Sequence, residues 1–187
     1  MIVDMAQVIV LNGGSSSGKS SLARALQELL PVTWLTFGVD VLIDGLPGHG
    51  EDPRSGIVFE PDGTIAFTPE YRAVEDAWYA GLATMARHGA RLILDEVLLS
   101  GGAGQRRLGE ILAPVDVLWV GVHCDPTVAA GREACRDDRV PGMALSQALV
   151  VHAGVTYDVE VNTTNRSAAA CAASIADRIS RWSIGCS

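Results

Sequence analysis

The chain has 187 residues, a net charge of -8 and an apolar fraction of 48%. This length allows one well-buried core but is short for two ordinary domains, so we predict a single domain over residues 1–187. The acidic balance argues against a general nucleic-acid or anionic-membrane surface, since both need an excess of basic residues. The sequence has no secretory leader pattern, no apolar run of membrane-spanning length and no Cys-x-x-Cys pair. It therefore predicts a cytoplasmic protein with reduced thiols.

The strongest local signal is a phosphate-binding loop (P-loop) at residues 13–20. The stretch GGSSSGKS fits the pattern G-x-x-x-x-G-K-[ST] at every fixed position, between an apolar run at residues 8–11 and a helix-forming run at residues 21–30. In such a loop the backbone N–H groups and the helix N-terminus converge on phosphate oxygens. The predicted nucleotide-binding residues are Gly13, Gly14, Ser15, Ser16, Ser17, Gly18, Lys19 and Ser20, and the Ser20 hydroxyl is also a predicted Mg²⁺ ligand.

Lys19 is the only lysine among the fourteen Lys and Arg residues. Every other positive side chain is arginine, whose planar guanidinium is too large and wrongly shaped for a phosphate cradle. We therefore predict that the Lys19 ammonium reaches the outer phosphates of a nucleotide. The alternative is a Gly/Ser turn that resembles the motif by accident, and the flanking strand and helix patterns argue against it.

Strand patterns alternate with helix patterns along the whole chain. Alternation of this kind predicts an α/β fold with a mostly parallel five-stranded sheet covered by helices on both faces. The predicted strands are residues 8–11, 33–37, 91–96, 115–122 and 157–161. The main predicted helices are residues 21–30 and 69–88, then a short helix that follows a flexible connection at residues 100–104 and ends at 112. Further predicted helices are one that begins at 126 and carries Arg132 and Arg136, then 143–151 and 167–182.

Asp40 lies at the carboxyl end of the second predicted strand, after Gly38 and Val39. Ligands of open α/β sheets bind at the carboxyl ends of the strands, so Asp40 should face the same crevice as the P-loop. We predict that it is a catalytic carboxylate. The alternative is an N-cap for a helix at residues 41–44, and one residue can serve both roles.

Residues 46–63 are rich in Gly, Pro and acidic side chains and predict a long loop. Within and just after it, residues 57–59 and 64–67 flank a turn and favour a small hairpin. We assign residues 45–68 to the substrate-binding region.

The strand at residues 91–96 ends in two carboxylates, which is typical of a Walker B segment. Asp95 at such a strand end is predicted to hold Mg²⁺ together with Ser20, and an ordinary strand-end acid is the alternative. The role of Glu96 is left open.

Arginines cluster between residues 132 and 142, which we predict to form a lid. Arg132, Arg136 and Arg139 lie close together in an otherwise acidic chain. They are candidates for clamping phosphates, with Gly142 as a hinge. The alternative is a solvated surface on which they pair with Glu133, Asp137 and Asp138.

Taken together, these segments resemble chloramphenicol phosphotransferase. The resemblance rests on GGSS-x-GKS after a strand, FGVD at residues 37–40, the Walker B strand, DVLWVGV at residues 116–122, the arginine segment, and the stretch from VH at residues 151–152 to YDVEV at residues 157–161. It covers nearly the whole chain. The family is an antibiotic-resistance kinase whose fold is similar to adenylate and shikimate kinases.

The resemblance implies a P-loop kinase fold and ATP-dependent phosphorylation, with Mg²⁺, of a hydroxyl on a small molecule such as chloramphenicol. It implies that Asp40 is the general base and that Arg136 and Arg139 are lid arginines acting with Lys19. Arg132 and the turn containing Thr163 are expected to border the adenine. Oligomeric state is left open, a homo-oligomer included.

Two rival interpretations remain open from the sequence. One is a kinase of the same fold that acts on another small alcohol. The other is an ATP-binding regulatory switch, whose nucleotide turnover would be indifferent to small alcohols. A guanine-specific switch is excluded, because the usual N-K-x-D motif needs a second lysine.

Overall fold

The computed structural model describes residues 6–59, 65–135 and 142–182. Its centre is a five-stranded sheet in the order β2-β5-β1-β6-β7, in which every neighbouring pair is parallel. The predicted α/β architecture is therefore confirmed. These strands are β1 (Val8–Asn12), β2 (Leu35–Gly38), β5 (Leu92–Glu96), β6 (Val117–His123) and β7 (Val159–Asn162).

Seven helices lie in the described part of the chain. They are α1 (Lys19–Leu29), α2 (Val39–Asp44), α3 (Pro69–Arg87), α4 (Gly102–Leu112), α5 (Pro126–Glu133), α6 (Met143–Val150) and α7 (Ala168–Trp182). Local sequence explains several starts: Thr68 caps α3 by accepting from the Tyr71 amide, and Asp125 caps α5 by accepting from two amides, with proline at the first position of both helices.

The two faces of the sheet carry separate halves of the core, because side chains alternate along each strand. In β1, Ile9 and Leu11 pack with the side chains of α1 and α7. Val8 and Val10 point the other way and pack with α3 and α4. All four side chains are fully buried. Helices on both faces thus fix the sheet and leave its carboxyl edge to hold the site.

The predicted hairpin is present as an antiparallel pair, β3 (Ile57–Phe59) and β4 (Ile65–Phe67). Short 3₁₀ turns at Pro47–Gly50 and Pro53–Ser55 precede it. The hairpin and α2 share a small apolar cluster with α3, centred on Leu42, Ile57 and Tyr71. Residues 45–59 and 65–68 therefore pack against α3 as part of the domain.

Two helix predictions need correction. Residues 100–104 were expected to be a flexible connection, but α4 already begins at Gly102. The helix expected to carry both Arg132 and Arg136 ends at Glu133, with Arg132 in its last turn, and Arg136 lies outside the described residues. No helix in the described segments is long and apolar enough to cross a membrane.

Candidate active site

The P-loop joins β1 to α1 at the carboxyl edge of the sheet. Gly18 precedes α1 with φ of 92°, a left-handed conformation that glycine adopts without strain. Gly13 is needed for a different reason, since a Cβ there would lie 2.6 Å from the Val122 carbonyl oxygen of β6. The structure therefore requires glycine at position 13 because the β6 backbone is too close for a side chain, and favours glycine at position 18 because of its dihedral angle.

Three serine hydroxyls of the P-loop are free to donate hydrogen bonds to a bound anion. The Oγ atoms of Ser15, Ser16 and Ser17 are all buried, and none has a hydrogen-bond partner within the described residues. Buried polar atoms without partners are costly, so three in one loop fit a ligand rich in acceptor oxygens. A phosphate chain at the start of α1 would meet these hydroxyls together with the helix N-terminus.

Lys19, Ser20 and Asp95 form one connected group. The Lys19 ammonium is 7% exposed, donates to the Gly14 carbonyl at 3.0 Å and lies 3.5 Å from Asp95 Oδ1. The Ser20 hydroxyl donates to Asp95 Oδ2 at 2.7 Å. The structure thus brings together the predicted lysine and both predicted metal ligands.

This group fits a Mg²⁺ ion that is held partly by phosphate. Mg²⁺ prefers oxygen ligands and usually binds through one or two protein groups plus phosphate oxygens and water. Among the described residues, no three His, Cys, Asp or Glu side chains converge as a metal site. The protein side of a magnesium site would therefore be Ser20 and Asp95.

Asp40 lies in the first turn of α2. It comes two residues after Gly38, which pairs in register with Asp95, so both carboxylates lie at the same edge of the sheet. Asp40 is exposed and lines the same cleft as Lys19 and Asp95. The helix begins two residues earlier than expected, with Gly38 at the cap position, so Asp40 is not its N-cap.

Arg132 and Thr163 meet beside the P-loop. Arg132 Nη2 donates to the Thr163 carbonyl at 2.7 Å, and the Thr163 hydroxyl donates to the Ser17 carbonyl at 2.6 Å. Next to them is a depression of about 500 Å³. Its lining comes from the ends of β6 and β7, namely His123, Cys124, Asp125, Asn162, Thr164, Asn165 and Arg166. The two residues expected near the adenine are therefore neighbours of the phosphate loop.

On the other side of the P-loop a cleft of about 720 Å³ runs toward the hairpin and α3. Much of its wall is apolar, including Phe37, Phe59, Phe67, Leu98 and Leu108. A compact alcohol can lie here with its hydroxyl toward Asp40 and the phosphate loop. The cleft therefore links the predicted substrate region to the predicted phosphate site.

The far wall of the cleft holds a polar network that sequence reasoning missed. Glu75 accepts from Arg72 at 2.7 Å and from Arg107 at 2.6 Å, and Arg107 also pairs with Asp76. The Arg72 guanidinium stacks over the Phe67 ring at 4.3 Å. Charges on this wall are thus paired between α3 and α4.

Glu96 lies deeper in the same wall. It is 2% exposed, and its Oε2 accepts from the Tyr79 hydroxyl at 2.8 Å. The pKa of Glu96 is raised to about 8, chiefly by burial; the Tyr79 hydrogen bond lowers it, and the nearby Asp95 charge raises it. The carboxyl is therefore mostly protonated at neutral pH.

Two more functional contacts involve residues that the sequence did not single out. The Gln147 side chain of α6 accepts from the Ser15 amide at 2.8 Å, which ties α6 to the P-loop. Glu133, at the end of α5, accepts from the amides of Gly142 and Ala144 at 2.8 Å each, across the start of α6. Arg136 and Arg139 lie outside the described residues, so their predicted lid role stays a prediction.

Comparison with known proteins extends these observations. The model of the chloramphenicol phosphotransferase-like protein family matches residues 6–180. A provisionally named O-phosphotransferase of Mycobacterium tuberculosis strain H37Rv is 32% identical over an alignment of 173 residues, and the alignment covers 84% of this chain and 75% of the relative.

Solved structures with lower identity share the fold. A sugar kinase from Janibacter sp. HTCC2649 has a TM-score of 0.64 and 16% identity, over 94% of this chain and 95% of that one. The Mycobacterium tuberculosis APS kinase, solved with AMPPNP and APS, has a TM-score of 0.60 and 14% identity, over 94% and 98% of the two chains. The family match covers most of the chain and agrees with the P-loop kinase architecture, and the chain accordingly belongs to the chloramphenicol phosphotransferase-like protein family.

Proposed function

We propose that the protein transfers the γ-phosphoryl group of ATP, with Mg²⁺, to a hydroxyl of a small molecule. Chloramphenicol or a related antibiotic is the first candidate acceptor. The observation that carries this proposal is a single cleft lined by Lys19, Asp95 and Asp40, open on one side to the phosphate loop and on the other to an apolar wall. Family membership and the nucleotide-bound kinase of the same fold support it.

The P-loop side of the cleft would hold the nucleotide. The serine hydroxyls and the backbone amides at the start of α1 would bind phosphate oxygens, and Lys19 would offset their charge. Ser20 and Asp95 would hold Mg²⁺, which when bound neutralises phosphate charge. Arg132 and Thr163 would border the adenine.

Asp40 would act on the acceptor. The hydroxyl oxygen of the acceptor would form a bond to the γ-phosphorus of ATP. At the same time the bond from that phosphorus to the β–γ bridging oxygen would break, and ADP would leave. Asp40 would accept the hydroxyl proton in this step. Phosphoryl transfer needs little beyond such positioning and charge neutralisation. Arg136 and Arg139 are proposed to close over the transferred group.

The test is incubation with ATP, Mg²⁺ and a panel of alcohols that includes chloramphenicol, followed by mass spectrometry. The expected result is one added phosphate on at least one panel member. We expect Asp40→Asn to fold and to bind ATP but to lose at least about 99% of turnover. Asp44→Asn, which changes another carboxylate on α2, should keep it.

Two outcomes would contradict the proposal. Nucleotide turnover that is indifferent to every alcohol, with no phosphorylated product, would favour the regulatory switch. Full activity of Asp40→Asn would remove the general-base role from Asp40.

A further inference from the structure

The inner wall of the cleft contains two buried polar atoms that are not fully satisfied. Within the described residues Glu96 Oε1 makes no hydrogen bond. The Tyr71 hydroxyl makes none of good geometry, although the Glu75 carboxylate lies near it: burial and this charge raise the pKa of Tyr71. Glu96 is 2% exposed and Tyr71 is 1% exposed, and both line the cleft. A buried polar atom that is left unsatisfied destabilises the folded protein. Two such atoms on one wall point to a ligand that satisfies them.

The strand geometry explains why Glu96 faces this wall. Side chains alternate along β5, so Leu94 and Glu96 point toward α3, where Leu94 joins the α3 and α4 core and Glu96 meets Tyr79. Asp95 points to the opposite face, toward Ser20 at the start of α1. Two adjacent carboxylates of β5 therefore face opposite halves of the site: Asp95 faces the phosphate half and Glu96 faces the acceptor half.

The neighbouring charges indicate what kind of group fits. The cleft-lining arginines of this wall, Arg72 and Arg107, are both already bonded to Glu75. An anionic group placed beside Glu96 would have to break those ion pairs or lie unpaired near Glu75. An uncharged group that both donates and accepts avoids that cost.

We propose that Glu96 and Tyr71 recognise an uncharged hydroxyl or amide of the acceptor, at a position separate from the hydroxyl that is phosphorylated. This inference rests on the proposed phosphotransferase function and adds a specificity-determining pair to it. Glu96 Oε1 can accept a hydrogen bond from such a group, and the Tyr71 hydroxyl can donate or accept one. Tyr79 holds the Glu96 carboxyl in place through its other oxygen.

The experiment compares Tyr71→Phe, Glu96→Met and Glu96→Gln with the wild-type protein. Tyr71→Phe deletes a single hydroxyl, Glu96→Met removes hydrogen bonding at similar length, and Glu96→Gln keeps a donor and an acceptor. Glu110→Gln changes an exposed carboxylate of α4 that does not line the cleft and is the matched control. KM for the acceptor, KM for ATP, kcat and Tm are measured with chloramphenicol, or with the panel alcohol that gives the highest turnover.

We expect Tyr71→Phe and Glu96→Met each to raise the acceptor KM about ten- to hundredfold, with the ATP KM within about twofold of wild type. Glu96→Gln should recover part of the loss. With an acceptor analogue whose second hydroxyl or amide N–H is methylated, wild type and variants should have similar KM values, because the recognised group is gone.

Some outcomes would refute the recognition role proposed for Glu96 and Tyr71. If the wild-type protein phosphorylates an alcohol but the variants change only Tm, the two atoms are structural and the inference is wrong, although the proposed function stands. If Glu96→Met does not fold, Tyr71→Phe and the methylated analogue decide the question. If the wild-type protein neither binds nor phosphorylates any panel member, the proposed function fails and the recognition role fails with it.

Discussion

The raised pKa of Glu96 predicts a pH-dependent loss of stability that Glu96→Gln should remove. In the folded protein this carboxyl titrates at about 8, whereas an unfolded glutamate titrates near 4.5. Between these values the folded state holds a proton that the unfolded state has released. Stability must therefore fall as pH rises through this interval.

The size of the effect follows from linkage. One proton difference is worth about 1.4 kcal/mol per pH unit, and the slope flattens as the folded carboxyl begins to ionise. Between pH 6.5 and 8 the Glu96 contribution should lower the free energy of unfolding by about 1.5 kcal/mol.

The interval from pH 6.5 to 8 separates the titration of Glu96 from that of the half-buried His152. Burial lowers the pKa of His152 to about 4, assisted by the neighbouring His123. The folded state therefore binds fewer protons than the unfolded state between about pH 4 and 6.5, and the stability contributed by His152 rises with pH there. The two slopes oppose each other below pH 6.5, and above it the Glu96 slope remains.

The assay is urea unfolding at half-unit intervals from pH 5 to 8.5, on wild type, Glu96→Gln and the Glu110→Gln control. Subtracting the Glu96→Gln curve from the wild-type curve removes the contributions of other groups. We expect the difference to fall by about 1.5 kcal/mol between pH 6.5 and 8, and the control to match wild type. A flat difference would mean that Glu96 ionises as an ordinary surface carboxylate, and the neutral-carboxyl argument would be wrong.

Three further predictions concern the phosphate side. Asp95→Asn should raise the Mg²⁺ concentration for half-maximal turnover at least about tenfold, and an unchanged Mg²⁺ titration would remove Asp95 from the metal site. Gly13→Ala places a Cβ 2.6 Å from the Val122 carbonyl oxygen and should cost at least about 2 kcal/mol in urea unfolding, whereas Gly81→Ala, with nothing within 4 Å, should not. Gln147→Ala leaves the buried Ser15 amide without its acceptor and should lower stability by about 1 to 3 kcal/mol, and an equal Tm would show that this bond contributes nothing.

The parts of the site that sequence predicted are those encoded by short-range spacing. The P-loop residues are contiguous, and the strand before them fixes where they lie, so Lys19 and Ser20 could be assigned directly. Asp40 and Asp95 could be assigned to the same edge because parallel strands end together there. Their chemical roles remain proposals.

The parts that sequence missed depend on contacts between distant segments. Glu75 and Arg107 are 32 positions apart, and Gln147 is 132 positions from Ser15. Nothing in the local pattern of α3, α4 or α6 distinguishes these side chains from ordinary surface groups of amphipathic helices. Glu96 was visible as a strand-end carboxylate, but only the packing of α3 reveals that it is enclosed and linked to Tyr79.

The hydrogen bonds of the Glu133 carboxylate affect how well the fold would tolerate insertions between α5 and α6. Glu133 accepts hydrogen bonds from the amides of Gly142 and Ala144. These bonds hold the end of α5 next to the start of α6, so the two ends of the segment between residues 134 and 141 are fixed in position. With its ends fixed, lengthening the segment by a few residues adds only a small closure entropy, since that cost grows slowly with loop length. Insertions between residues 134 and 141 should therefore cost the folded protein little thermodynamic stability.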